Sequence, residues 1–142
     1  MTESLGIAFE VPGEPRGKGR PRFNRQTGKT YTDSETKAYE EKIAAYYRKA
    51  HGAHRWPDSA FIALEVIAHY PIPKSATKAI RAAMEAGTVR PSRKPDVDNV
   101  LKVVLDALNG VAYKDDSRVV FVAARKIYSN DPKLVIRIKG SE

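Results

Sequence analysis

At 142 residues and without cysteine, the chain is of single-domain size and can build neither a disulfide framework nor a cysteine-based zinc site. Its 25 lysines and arginines against 17 aspartates and glutamates leave a formal charge of +8, which favours a polyanionic partner, nucleic acid being the commonest, although a ribosome-associated or membrane-surface protein would suit it too. No apolar run approaches the roughly 20 residues of a membrane span, and the opening Met-Thr-Glu-Ser-Leu lacks a basic segment followed by an apolar one, so a soluble, cytoplasmic protein is expected.

Ile7, Phe9 and Val11 alternate with Ala8 and Glu10, the period of a strand with one buried face. Residues 12–29 form a basic arm whose Gly and Pro content excludes regular structure. Within it Arg16, Lys18, Arg20 and Arg22 fall at every second position. Side chains at that spacing in an extended chain share one edge, so the arm reads as tracking DNA phosphates; the plainer alternative is a solvated loop.

Thr30-Tyr31-Thr32 predicts a short extended piece, and Thr32 with Glu35 has the spacing of a capping box. Tyr39, Ile43, Tyr46, Tyr47 and Ala50 then predict a helix over 34–50 with one apolar side, its tyrosines read as core rather than as a base-stacking platform. His51, His54 and His69 share no zinc-ligand spacing with an acidic pair. Ala60 to Tyr70 is β-rich and almost continuously apolar, as expected of a central strand covered on both faces. Pro71 and Pro73 end it, and Ser75 can cap a short helix carrying Ile80, Ala83 and Met84 and stopping near Gly87. Arg81, Arg90, Arg93 and Lys94 bring positive charge up to the segment that follows.

That segment is the most informative. Val97, Val100, Leu101, Val104, Leu105 and Leu108 make one buried helical stripe, with Asp98, Lys102, Asp106 and Asn109 opposite it. Asp96 is suited to the N-cap, and Gly110 to the left-handed position after the helix. Residues two apart in a helix point roughly 200° away from each other, so Asp96 and Asp98 could share a ligand only at an extended-to-helix junction, which Pro95 favours. Converging carboxylates are what a hard divalent cation needs. The plainer reading has Asp96 capping the helix, Asp98 paired with Lys102, and Asp115 and Asp116 forming a turn; spacing alone leaves both open.

Val119 to Tyr128 reads as a long strand, and Leu134, Ile136 and Ile138 mark a last one. The Ser129–Pro132 turn joins them as an antiparallel hairpin. The order of elements predicts a single α/β (α+β) domain, one mixed β-sheet with helices packed on it.

The run Lys94-Pro-Asp-Val-Asp-Asn-Val-Leu-Lys102, followed by Asp106-Ala-Leu-Asn-Gly110 and Tyr113-Lys-Asp-Asp-Ser117, resembles the signature of the RusA family of Holliday-junction resolvases of bacteria and their phages. The resemblance implies a structure-specific DNA endonuclease that uses Mg²⁺, with Mn²⁺ as a substitute, to resolve four-way junctions by paired nicks, acting as a homodimer. It puts the metal-binding aspartates at Asp96, Asp98 and Asp116 and an active-site lysine at Lys102. Asp106, two turns beyond Asp98 and about 12 Å further along the axis, is read as a structural or DNA-proximal group. The basic arms of phage-type members make Arg16, Lys18, Arg20 and Arg22 expected DNA contacts, and Arg93 and Lys94 join them because positive charge there lets a phosphate approach the carboxylates. Two alternatives are a flap- or fork-specific nuclease of the same chemistry and a DNA-binding module without catalysis.

Overall fold

The long apolar run after Ala60 becomes the strand around which the sheet is built. The computed structural model describes residues 6–141, so the opening segment on which the expectation of no leader rests lies outside them. In chain order the elements are β1 (Ile7–Pro12), β2 (Arg22–Phe23), β3 (Thr30–Tyr31), α1 (Ser34–His51), β4 (Ile62–Pro71), α2 (Lys78–Glu85), α3 (Val97–Leu108), a 3-10 turn (Asp116–Arg118), β5 (Val119–Ser129) and β6 (Lys133–Gly140). The main sheet has the order β1-β6-β4-β5 and is mixed, as expected: β4 pairs parallel with β5, and the other two pairings are antiparallel. Among the described residues no helix is long and apolar enough to cross a membrane.

Register explains the core. Leu64, Val66 and Ala68 of β4 lie opposite Ile138, Ile136 and Leu134 of β6, which in turn oppose Ile7, Phe9 and Val11 of β1. With a side-chain period of two, all of these project to one face. There they meet Tyr39, Ile43 and Tyr47 of α1 and Val100, Val103, Val104 and Leu108 of α3 in one buried cluster. The tyrosines of α1 are core, as their spacing predicts, while Ala50 is exposed.

The predicted hairpin does not form: β5 and β6 lie on opposite sides of β4. Residues 72–118, with α2 and α3, make the crossover that a parallel β4/β5 pair requires. The three residues after β5 then carry the chain past β4, and β6 takes β4's other edge. The second face of β4 is also more open than predicted. Ala63, Glu65 and His69 are only partly buried there, and Glu65 accepts a charged hydrogen bond from Arg137 of β6 at 3.1 Å.

Three local expectations are corrected. Asp33, not Thr32, caps α1, accepting from the Thr36 N–H at 2.7 Å. Thr77, not Ser75, caps α2, accepting from the Ile80 N–H. In the arm, Arg22–Phe23 pairs antiparallel with Thr30–Tyr31, so the segment read as irregular contains a two-stranded ribbon.

Candidate metal and DNA site

The start of α3 is held from two sides. Tyr70, at the end of β4, donates its hydroxyl to the Pro95 carbonyl, and the Lys94–Pro95 peptide is cis. On the other side the arm docks: Lys18 N–H donates to the Asn99 carbonyl at 3.0 Å, and Gly19 N–H to the Thr36 hydroxyl at 3.0 Å. A side chain at Gly17 would come within 2.9 Å of both the Asn99 and Pro95 Cβ atoms, so glycine is what lets the two segments approach. Asp96 sits at the N-cap in an extended conformation, φ −68° and ψ 152°, yet its side chain makes no capping bond. Gly110 follows α3 with φ +74°, the left-handed conformation predicted for it.

The aspartates divide into two groups. Asp33 caps α1, and hydrogen bonding from Thr36 lowers its pKa. Asp115 accepts from Ser117, which lowers its pKa as well. Asp106 lies 3.0 Å from the Lys18 ammonium and 3.7 Å from that of Lys102. Asp96, Asp98 and Asp116 are exposed, and among the described residues none of their carboxylates makes an ion pair or hydrogen bond.

Among the described residues no three carboxylate or imidazole groups come together closely enough to hold an ion. Asp96 and Asp98 flank the first residue of α3, whereas Asp116 follows Tyr113, whose hydroxyl bonds the Leu105 carbonyl near the helix's far end at 2.8 Å. From Asp98 to Leu105 the helix rises by about 10 Å. The turn carrying Asp116 is pinned by Arg118, which donates to the carbonyls of Ser59 at 2.6 Å and Ala60 at 3.1 Å.

Lys102 projects from α3 with 61% of its side chain exposed and pairs with Asp106, not with Asp98 as the plainer reading has it. Lys18 does not share an edge with its arginine neighbours. Its ammonium bridges Glu40 and Asp106 at 3.1 and 3.0 Å with only 15% of the side chain exposed. Burial alone would depress its pKa, but hydrogen bonds to the two carboxylates outweigh this and raise it. Arg16, Arg20 and Arg22 face solvent.

The model of the family described as Endodeoxyribonuclease RusA matches residues 12–139. The chain belongs to the RusA family. It is also 38% identical over 138 residues to the uncharacterized protein YqaN of Bacillus subtilis strain 168, with 94% of this chain and 95% of that protein covered. RusA proteins are endodeoxyribonucleases that act on branched DNA junctions.

Three residues of this RusA chain escape the sequence pattern. Lys126 of β5 sits 5.0 Å from the centre of the Tyr70 ring and donates to the Arg93 carbonyl at 2.6 Å. The Arg93 guanidinium lies 5.5 Å from the same ring centre, so two cations bracket one aromatic beside Asp96. Burial raises the Tyr70 pKa to about 12, so the hydroxyl stays protonated as a donor. The adjacent Arg125 and Lys126, interrupting an otherwise apolar strand, are the signal that marks Lys126. Tyr39 is the third: its hydroxyl is buried without a hydrogen-bond partner, which helical spacing does not reveal.

Proposed function

We propose that this chain is a cytoplasmic, Mg²⁺-dependent resolvase of four-way DNA junctions that makes paired nicks on opposing strands as a homodimer. The observation that carries the reading is the division among the aspartates: protein groups engage Asp33, Asp106 and Asp115 and leave Asp96, Asp98 and Asp116 alone. Carboxylates exposed at the surface of a chain of charge +8, with no cation of the chain paired to them, suit an external one.

The donor set fits a hard ion shared with substrate. Asp96 and Asp98 supply two carboxylates at the start of α3, and Mg²⁺ is commonly held by one or two carboxylates with water and phosphate oxygens completing the shell. Asp116 is the third residue proposed to hold it. When bound, Mg²⁺ would supply a Lewis acid for the phosphate and a water more acidic than bulk. The chain's own cations do the rest. Arg16, Arg20 and Arg22 of the arm, with Arg93 and Lys94, draw phosphates toward a surface whose carboxylates would otherwise repel them. Lys102, one turn after Asp98, orients the scissile phosphate and offsets charge developing on the leaving oxygen.

Two cuts on symmetry-related strands require two sites related by a twofold axis, which a homodimer supplies. A second copy could also complete the ligand set, since among the described residues one chain gathers no three such groups around an ion. The free edge of β5 offers a surface for it, because Val120, Phe121 and Val122 are 64%, 62% and 42% exposed there, and an apolar edge of this kind is normally covered. Synthetic four-way junction, fork and linear duplex, each incubated with and without Mg²⁺, test the proposal. Mg²⁺-dependent paired nicking confined to the junction is expected; fork or flap cleavage in preference to the junction, or binding without cleavage, would overturn it.

A further inference from the structure

A cleft of about 540 Å³ opens beside Asp96. Its walls come from the docked arm, the start of α1 and the start of α3. Arg16, Arg20 and Lys94 bring positive charge to it, and Asn99 and Tyr39 contribute polar groups without charge. Asp33, Glu35 and Asp96 also line it. A bare phosphate would suit the cations of the lining but would be repelled by its carboxylates. A ligand with an anionic end and a neutral, hydrogen-bonding end meets both parts of the lining.

Tyr39 is the independent pointer to a ligand. Only 6% of it is exposed, it lines the cleft, and its hydroxyl finds no partner in the protein. The Arg16 backbone lies close enough to oppose the rise in pKa that burial causes, to about 12, but does not complete a hydrogen bond. A buried hydroxyl left unpaired is unfavourable, and such groups are few in folded proteins. Tyr39 also lines a neighbouring cleft of about 710 Å³, but of the two it is the first that touches a candidate metal-binding carboxylate, Asp96.

Building on the nuclease reading, we propose that this cleft takes one unstacked nucleotide of the strand to be cut, its phosphate toward Arg16, Arg20 and Lys94 and its base edge toward Asn99 and the Tyr39 hydroxyl. The volume lies within the range of small-molecule pockets and suits a single nucleotide. Extrusion from a duplex is costly, and least so where pairing is already interrupted, as at the branch point of a junction. The cleft thus joins recognition of a branch to placement of the adjoining phosphate at Asp96. Asn99 and Tyr39 become positioning residues.

The test measures binding of the full chain to synthetic four-way junctions in EDTA, each junction carrying one abasic nucleotide at a different position around the branch point. Wild type is compared with Tyr39→Phe, which removes only the unpaired hydroxyl. On the intact junction Tyr39→Phe should bind about fivefold more weakly, while its melting temperature holds or rises because the unpaired group is gone. At one position the abasic substitution should weaken wild type about tenfold and Tyr39→Phe clearly less. A flat abasic scan, an abasic penalty identical in the two proteins, or a loss of stability in Tyr39→Phe would each overturn the proposal. Nicking is followed in Mg²⁺ on the same junctions. Normal nicking with a flat scan removes the nucleotide cleft and leaves the nuclease reading standing, whereas absence of both binding and nicking removes that reading and the cleft with it.

Discussion

The Lys18 ammonium lies 3.0 Å from the Asp106 carboxylate, joining the basic arm to the side of α3 that also carries Asp98 and Lys102. Glu40 of α1 completes the bridge at 3.1 Å. A residue expected to contact phosphate instead anchors the segment that presents the phosphate contacts. Lys18→Met should leave Glu40 and Asp106 without their shared cation and destabilise the fold by roughly 1–3 kcal/mol. Urea unfolding of wild type and variant measures it, and an unchanged midpoint would make the bridge energetically idle.

The same cation sets an alkaline limit. The folded-state pKa of Lys18 is raised above 10.5, so its stabilisation is fully present below 10.5 and is lost as pH rises through the higher folded value. His69 works in the opposite sense at the acid side. Burial, then the nearby Lys133, lowers its pKa below 6.5, and its Nδ1 is buried without a partner. Its contribution is present above 6.5 and is lost as pH falls through that value toward the folded one. Melting temperatures across both ranges check this: Lys18→Met should flatten the alkaline limb and His69→Gln the limb near neutrality, each leaving the other in place.

Arg16, Arg20 and Arg22 face solvent, and replacing each with Gln should weaken binding to every DNA, about equally for Arg22 and more strongly for the junction at Arg16 and Arg20. The slope of log affinity against log salt should flatten by about one unit for each phosphate contact removed. Salt titrations of the single and triple variants measure it. A slope unchanged in the triple variant would return the arm to the status of a solvated loop.

Asp98→Asn preserves side-chain size while removing a formal charge, and no described residue depends on that carboxylate. Nicking in Mg²⁺ should fall steeply while circular dichroism stays unchanged. Junction affinity in EDTA should hold or improve, because DNA approaches a less negative surface. Mg²⁺ should also raise the melting temperature of wild type more than that of Asp98→Asn, as binding to the folded state requires. Full nicking activity in the variant would remove Asp98 from the mechanism.

Local chemistry determined what could be read from sequence alone. The periodicity from Val97 to Leu108 encodes α3, since it is carried by residues a few positions apart and needs no partner to be recognised, but packing turns the buried side toward Val103 and Ala107 and leaves Val97 exposed and Leu101 and Leu105 half-buried. The Asp96–Asn99 junction, the left-handed Gly110 and the family motif are equally local. Pairing choices were decided only by tertiary structure. Whether β6 lies against β5 or against β4 depends on which strand edges the α2–α3 crossover leaves open, and the turn between β5 and β6 is compatible with either. Lys18, Arg20 and Arg22 look equivalent along an extended chain, yet only Lys18 meets Glu40 and Asp106 once α1 and α3 pack together. Where Asp116 comes to lie is equally a tertiary matter, because Arg118 fixes its turn by donating to the Ser59 and Ala60 carbonyls, residues that no local pattern connects to it.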